Sequence, residues 1–185
     1  MKRRQPHLYL DTNVILDAVD GRWPPSADLI ERIRAEGWPC STSRFTFLEM
    51  LEVKQEDQFM RNQLAEGLTL SQTVRRLGSR RWGKLALRTG ELDRIYGELY
   101  VAVETDYPFV TFQRPQSGLW DQAEEYCAAT NIGAVDSIHL ATAIGVGCDV
   151  LVTRDSDFRL IADNYIPAVF PERLEDTLKN LGFSF

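Results

Sequence analysis

The chain has 185 residues, of which 44% are hydrophobic and 26% charged, and its formal net charge is −6. Such proportions suit a globular domain with one sizeable core, and the acidic balance argues against a protein that coats nucleic acid electrostatically. No apolar run approaches the roughly 20 residues of a membrane span.

The basic start Met1-Lys2-Arg3-Arg4 leads into no apolar segment or small-residue cleavage site, so no signal peptide is expected. Cys40, Cys127 and Cys148 are widely spaced in apolar surroundings. They read as reduced core thiols, not as a disulfide or zinc framework. Both features point to the cytoplasm.

Leu8-Tyr9-Leu10 reads as a short buried strand that runs straight into Asp11-Thr12-Asn13. Thr12 and Asn13 are capping types, so a helix is expected to start there, with Asp11 at the strand's carboxyl end. Open α/β sheets bind their ligands at that end. After the turn Gly21-Arg22-Trp23-Pro24-Pro25-Ser26, residues 27–36 carry Leu29, Ile30 and Ile33 on one helical face, and Gly37 ends the helix. Residues 38–42 suit a second strand. Ser43 then caps a helix that holds Phe45, Phe47, Leu48, Leu51 and Val53, with Glu49 among them.

Residues 57–106 are more polar and mostly helical. Leu64, Leu68, Leu70, Val74 and Leu77 suggest two short helices, and residues 91–101 another. Arg75, Arg76, Arg80, Arg81, Lys84 and Arg88 concentrate positive charge around Trp82. They form either a solvated helix face or an RNA-backbone footprint with Trp82 as a stacking platform. No repeat or flexible linker marks a second domain, so the stretch is read as a helical insertion in one domain of residues 1–185.

The alternation then resumes. Residues 109–112 read as a third strand and 118–130 as a helix ended by Asn131-Ile132-Gly133. Val135-Asp136-Ser137 opens a nearly all-apolar helix that Gly145 and Gly147 close. Residues 150–153 form the fourth strand, followed at once by Arg154-Asp155-Ser156-Asp157; residues 167–170 are a fifth strand and 171–181 a final helix. Strands separated by helices imply a parallel sheet between helical layers.

Four acids recur at similar places. Asp11 and Asp155 follow strands, Glu49 lies on the helix after the second strand, and Asp136 is in the first turn of a helix. Asp11, Asp136 and Asp155 each have a purely structural reading as cap, turn or helix-terminal charge, whereas Glu49, flanked by Phe45, Leu48 and Met50 inside a helix, is expected to be part-buried and to need a partner. Together they could meet at the carboxyl edge of the sheet. Converged carboxylates repel by about 4 kcal/mol per pair at 4 Å and an effective dielectric near 20, so a cluster needs a cation. Oxygen ligands without paired His or Cys favour Mg²⁺ or Mn²⁺, which can activate water and stabilise a leaving oxygen. His139 either contacts substrate or orients a carboxylate, or is a packed, hydrogen-bonded histidine. His7 is expected at the surface.

Leu10-Asp11-Thr12-Asn13, Phe47-Leu48-Glu49-Met50, the stretch from Val135 to Ala143 and Val152-Thr153-Arg154-Asp155-Ser156-Asp157-Phe158 together resemble a PIN-domain nuclease. That is the fold of VapC-type toxins and related ribonucleases. The resemblance spans roughly residues 8–56 and 107–170. It implies a three-layer α/β/α fold with a central parallel sheet of four to five strands, and Mg²⁺- or Mn²⁺-dependent hydrolysis of RNA. It further implies that Asp11, Glu49, Asp136 and Asp155 hold the metal, with Asp157 a fourth-acid alternate or structural partner. Thr12, Asn13 and Thr153 would support the acids or position water and phosphate. A toxin role, a homodimer and an antitoxin partner follow from the same resemblance; the helical insertion departs from compact toxins.

Two readings compete. A PIN-like scaffold would bind RNA or protein without cutting. A flavodoxin-like domain would bind a phosphorylated ligand, but no glycine-rich loop follows any strand. A haloacid-dehalogenase-like phosphatase would need a second Asp where this chain has Asn13.

Overall fold

The computed structural model describes residues 4–79 and 85–184. Met1, Lys2 and Arg3, and from the basic stretch Arg80, Arg81, Trp82 and Lys84, lie outside the described residues. The elements in order are β1 (Leu8–Leu10), α1 (Thr12–Asp20), α2 (Pro24–Glu36), β2 (Cys40–Ser43), α3 (Arg44–Ala65), α4 (Leu70–Gly78) and α5 (Glu91–Val101). A π-helical turn, Ala102–Asp106, precedes β3 (Val110–Gln113), α6 (Leu119–Thr130), α7 (Ala134–Gly145) and β4 (Val150–Val152). Then come α8 (Ser156–Ala162), β5 (Ala168–Val169), a 3-10 turn at Pro171–Arg173 and α9 (Leu174–Asn180). No described helix is long and apolar enough to cross a membrane.

The chain divides into two compact units, one made of Met1–Phe47 with Pro108–Phe185, the other of Leu48–Tyr107. All five strands belong to the first. They form one parallel sheet in the order β3-β2-β1-β4-β5, flanked by helices in a three-layer α/β/α arrangement. β1 is central, pairing Leu8 with Cys40 on one side and with Val150 on the other. From β1 the chain moves outward through β2 to β3, then returns to place β4 on the far side of β1. The order therefore reverses between β1 and β4, where such sheets open a crevice at the carboxyl ends of their strands.

The central strands are buried on both faces, which is why they are short continuous apolar runs. Tyr9, Leu151 and Ala168 point to one face and pack with Leu140 and Ala143 of α7 and Phe158 and Ala162 of α8. Fully burying a side chain of the Leu or Phe class contributes about 1.5–3 kcal/mol, so this cluster fixes both helices against the strands. Strand alternation sends Leu8, Leu10, Val150 and Val152 to the other face, where they are equally buried. Gly21 and Gly37 end α1 and α2 at φ 63° and 64°, the left-handed conformation that suits glycine.

β2 is a polar strand, Cys-Ser-Thr-Ser, yet buried throughout. Each hydroxyl has a partner, as burial requires. Thr42 Oγ donates to the Leu10 carbonyl (2.7 Å) and lies 2.6 Å from Thr46 Oγ. Ser41 Oγ accepts from Gln113 (3.0 Å) and contacts His7 Nε2 (2.8 Å), so His7 is half-buried instead of superficial. Ser43 Oγ accepts from the Phe45 N–H (3.1 Å) at the start of α3. The cysteines are free thiols, Cys40 buried and the other two half-buried. Burial raises the Cys40 thiol and pushes Cys148 up to about 12.

In the second unit, α3 runs unbroken to Ala65, so the polar stretch opens inside a helix and not after one. No Gly or Pro interrupts residues 44–65, and Glu, Lys, Gln, Arg, Met and Leu propagate helix well. α4 begins with a capping box: Thr69 Oγ accepts from the Gln72 N–H (3.3 Å) and Gln72 Oε1 from the Thr69 N–H (2.9 Å). Glu91 joins α5 to α3 by accepting from Gln58 (3.0 Å) and Asn62 (2.8 Å). Burial opposes its charge. The Arg88 N–H, Asn62 and the Arg88 and Arg94 cations outweigh that and hold its carboxyl below the usual range. Two arginines of the basic stretch are engaged within the unit, Arg76 donating to Gln63 (2.5 Å) and Arg88 pairing with Glu66 (3.8 Å).

Candidate active site

Asp11 leaves the carboxyl end of β1 and caps α1. Its backbone is extended, and its Oδ1 accepts from the Thr12 N–H at 2.7 Å. A carboxylate at a helix N-terminus is favoured by the exposed amides and the helix dipole. The side chain is only 6% exposed, so its other oxygen also needs donors. Oδ2 accepts from Asn13 Nδ2 (2.7 Å) and from Thr153 Oγ (2.6 Å). Thr153 follows β4, and the Asp11 N–H donates to the Val152 carbonyl (3.0 Å). The β1 and β4 ends are thereby joined across the point where the strand order reverses.

Thr153 is fully buried and ties this point together. Besides donating to Asp11, its Oγ accepts from the Asp155 N–H (2.9 Å) and from Asn13 Nδ2 (3.3 Å). Asn13 Oδ1 accepts from the Arg154 N–H (2.9 Å), so Asn13 spans both strand ends. Thr12 is buried beside Asp11.

Asp155 is exposed and caps α8, accepting from the Asp157 (2.8 Å) and Phe158 (3.0 Å) N–H groups through Oδ1. Asp157, also exposed, lies in the first turn of α8. Asp136 lies in the first turn of α7 and is half-buried. α7 joins β4 through the short loop 146–149, so it runs back along the sheet and its N-terminus returns to the carboxyl edge. Gly133 caps α7, and a Cβ there would meet Asp136 Oδ2 at 3.0 Å. Glu49 is half-buried on α3 and belongs to the second unit.

His139 is fully buried, one turn along α7 from Asp136. Its Nδ1 is 2.6 Å from Tyr9 Oη, which also accepts from the Ser43 N–H (3.0 Å). It is thus a packed, hydrogen-bonded histidine, holding α7 to β1 and β2. Burial, then the Asp11 charge, raise the Tyr9 phenol well above its ordinary value.

The structure therefore brings Asp11, Thr12, Asn13, Thr153 and the Asp155 backbone into one bonded set, with Asp136 on the same edge. Among the described residues, no three His, Cys, Asp or Glu side chains gather as a ready-made metal cage. The donors that border the edge are carboxylate oxygens, which by chemistry suit a hard divalent cation.

Sequence reasoning passed over Arg154, Asp17 and Trp23. Arg154 forms an ion pair with Asp17 of α1, and its guanidinium lies over the Trp23 ring at 4.6 Å. The available signal was helical spacing, since Asp17 is four residues after Asn13 and so on the same face of α1.

A doubly wound parallel sheet with a buried, hydrogen-bonded aspartate at its reversal point defines an α/β domain with a polar, acid-bearing ligand edge. Comparison with known families matches residues 8–164 to the PIN domain, and the chain belongs to that family, whose fold is that of nucleases. Members typically use divalent metal ions. No curated protein and no solved structure matches the chain.

Proposed function

We propose that the protein is an endoribonuclease that hydrolyses RNA phosphodiesters with Mg²⁺ or Mn²⁺. The observation that carries this reading is Asp11. It is a buried carboxylate at the strand-order reversal whose oxygens are oriented by Thr12, Asn13 and Thr153. Asp11, Asp136 and Asp155 would hold the ion, with Glu49 added from the sequence pattern and Asp157 as the alternate. A bound divalent ion supplies charge neutralisation and polarises the phosphodiester. Asn13 and Thr153 hold the Asp11 carboxylate in one orientation, so no reorganisation is needed when substrate arrives.

We read the helical stretch at about 57–106 as an insertion in a single PIN domain of residues 1–185; the family match over residues 8–164 supports this. The toxin role, a homodimer and an antitoxin partner rest on the motif resemblance alone. Three free thiols fit a reducing cytoplasm.

The test incubates the protein with single-stranded and structured RNA in Mg²⁺ or Mn²⁺, beside EDTA and Asp11→Asn controls. Cleavage that needs the ion and is lost in Asp11→Asn is expected. Ion-independent cleavage would overturn the metal-dependent mechanism, and binding without turnover on every RNA would replace the nuclease by a binding scaffold.

A further inference from the structure

β5 is the last strand on its side of the sheet, with β4 between it and β1. The carbonyls of Pro167 and Val169 accept from the Leu151 (2.9 Å) and Thr153 (3.0 Å) N–H groups, so the backbone of Ala168 faces away from β4. The Ala168 N–H is already taken by Asp163 Oδ1 (3.0 Å), and Pro167 and Pro171 have no N–H to offer. An edge blunted in this way is a poor template for a further strand. Along it lies an open groove of about 410 Å³, walled by β5, by Arg159 of α8 and by Arg173 of the 3-10 turn.

Arg32, Arg34, Arg94 and Arg154 each pair with an acid. Among the described residues, Arg159 and Arg173 do not. The Arg159 guanidinium lies over the Phe170 ring at 5.1 Å, and its Nε is shut off from solvent with no acceptor. This cation has lost water on one side without gaining a partner there, and an anion at its other N–H groups offsets the deficit. Arg173 is exposed, and Thr177 donates to its carbonyl (3.2 Å), which holds the turn that carries it. The groove thus sets two guanidiniums against one carboxylate, Asp163, which is already engaged by the Ala168 N–H.

Guanidinium forks match phosphate oxygens, and a tetrahedral oxyanion has oxygens enough to accept from both arginines at once. The groove is larger than a bare phosphate needs and falls within the range of small-ligand sites, about 300–1,000 Å³. We propose that the groove beside β5 binds a small phosphate monoester. Arg159 and Arg173 grip the phosphate, and the apolar walls at Val169 and Phe170 border its organic group. The site uses none of the acids at the β1–β4 crevice and does not rest on the nuclease reading.

The metal-stripped full chain is titrated calorimetrically with adenosine 5′-monophosphate, inorganic phosphate and adenosine. Wild type is compared with Arg159→Gln, Arg173→Gln and, as a charge-matched control, Arg34→Gln, each checked for folding by thermal melt. Wild type should bind the monophosphate, bind inorganic phosphate more weakly, and not bind adenosine. A charge-assisted arginine–phosphate contact is worth about 10- to 100-fold in affinity, so each groove variant should weaken monophosphate binding by that factor and Arg34→Gln by less than about twofold. Arg173→Gln decides the matter if loss of the Phe170 contact unfolds Arg159→Gln. Wild type that binds neither phosphate compound, or an equal loss in Arg34→Gln, overturns the site. Inorganic phosphate bound more tightly than the monophosphate overturns the monoester. An RNA oligonucleotide with a 5′-hydroxyl, which holds only phosphodiesters, should not displace the monophosphate. Displacement that depends on both arginines would make the groove a nucleic-acid contact instead.

Discussion

Exchanging Asp11 and Asn13 should separate stability from chemistry at the strand-end site. In Asp11→Asn the carbonyl oxygen must stay on the Thr12 N–H to keep the α1 cap, now held at 2.7 Å. The new amide then faces Asn13 Nδ2, which today donates to Asp11 Oδ2 at 2.7 Å. Two donors meet where a charge-assisted bond stood, and such a bond is worth about 1.5–3 kcal/mol. Thr153 can rotate its hydroxyl, which moderates the loss to about 2 kcal/mol. For a protein of this size that lowers Tm by about 4–8 °C. The variant should still fold, but less stably than an isosteric change suggests. Asn13→Asp places a second carboxylate against Asp11, with about 4 kcal/mol of repulsion at 4 Å before protonation relieves part of it. The double exchange restores the pairing. The residue 11 amide donates to the residue 13 carboxylate, whose other oxygen still accepts the Arg154 N–H, now at 2.9 Å. Urea denaturation of the four proteins closes a double-mutant cycle, and a favourable coupling of about 2–3 kcal/mol is expected. Asp11→Asn and the double exchange should both fail to cleave RNA, because the carboxylate has left position 11. Additive losses, within about 0.5 kcal/mol, would refute the hydrogen-bond account of this site.

Thr153→Val keeps the shape of a fully buried residue but removes the hydroxyl shared by Asp11 and the Asp155 N–H. A loss of about 1.5–3 kcal/mol in urea melts is expected, with Thr153→Ser recovering most of it. Tyr9→Phe should cost about 1–3 kcal/mol at neutral pH, because the Ser43 N–H loses its acceptor. The same variant should flatten the alkaline limb of stability. The buried phenol keeps its proton above 10.0, where the unfolded chain releases it, so wild-type stability falls as pH rises through that range. The slope is about 1.4 kcal/mol per pH unit, readable in urea melts at pH 9–11. Gly133→Ala puts a Cβ at 3.0 Å from Asp136 Oδ2 and should displace that carboxylate. Lower unfolded-state entropy gives back about 0.4–1 kcal/mol, so Tm should hardly move while kcat for RNA falls; unchanged kcat would detach Asp136 from the site.

Much of this architecture is written locally. The apolar triplet before Asp11, the amphipathic pattern of α5, and the glycines after α1 and α2 act through neighbours in sequence, and periodicity exposes them. The expected range 91–101 coincides with α5. The failures are equally physical. α8 has only seven residues and little pattern of its own; Asp155 starts it by capping, and Phe158 holds it in the core. β2 extends to Ser43 although a Ser-Thr-Ser run carries no hydrophobic signal, because its hydroxyls are satisfied by Leu10, His7, Gln113 and Thr46, none of them a neighbour along the strand.

The sequence by itself determined the alternation of strands and helices, the placing of Asp11, Asp136 and Asp155 next to strand ends and helix starts, and the motifs that match the family. Those depend on interactions between residues a few positions apart. Only the tertiary structure decided the strand order that brings β4 beside β1, and with it the Thr153–Asp11 bond between residues far apart in the chain. It also decided that His139 is buried against Tyr9, and that Arg154 reaches Asp17 and Trp23. Such contacts are set by how the layers pack, and no local pattern encodes which distant donor will meet a given carboxylate.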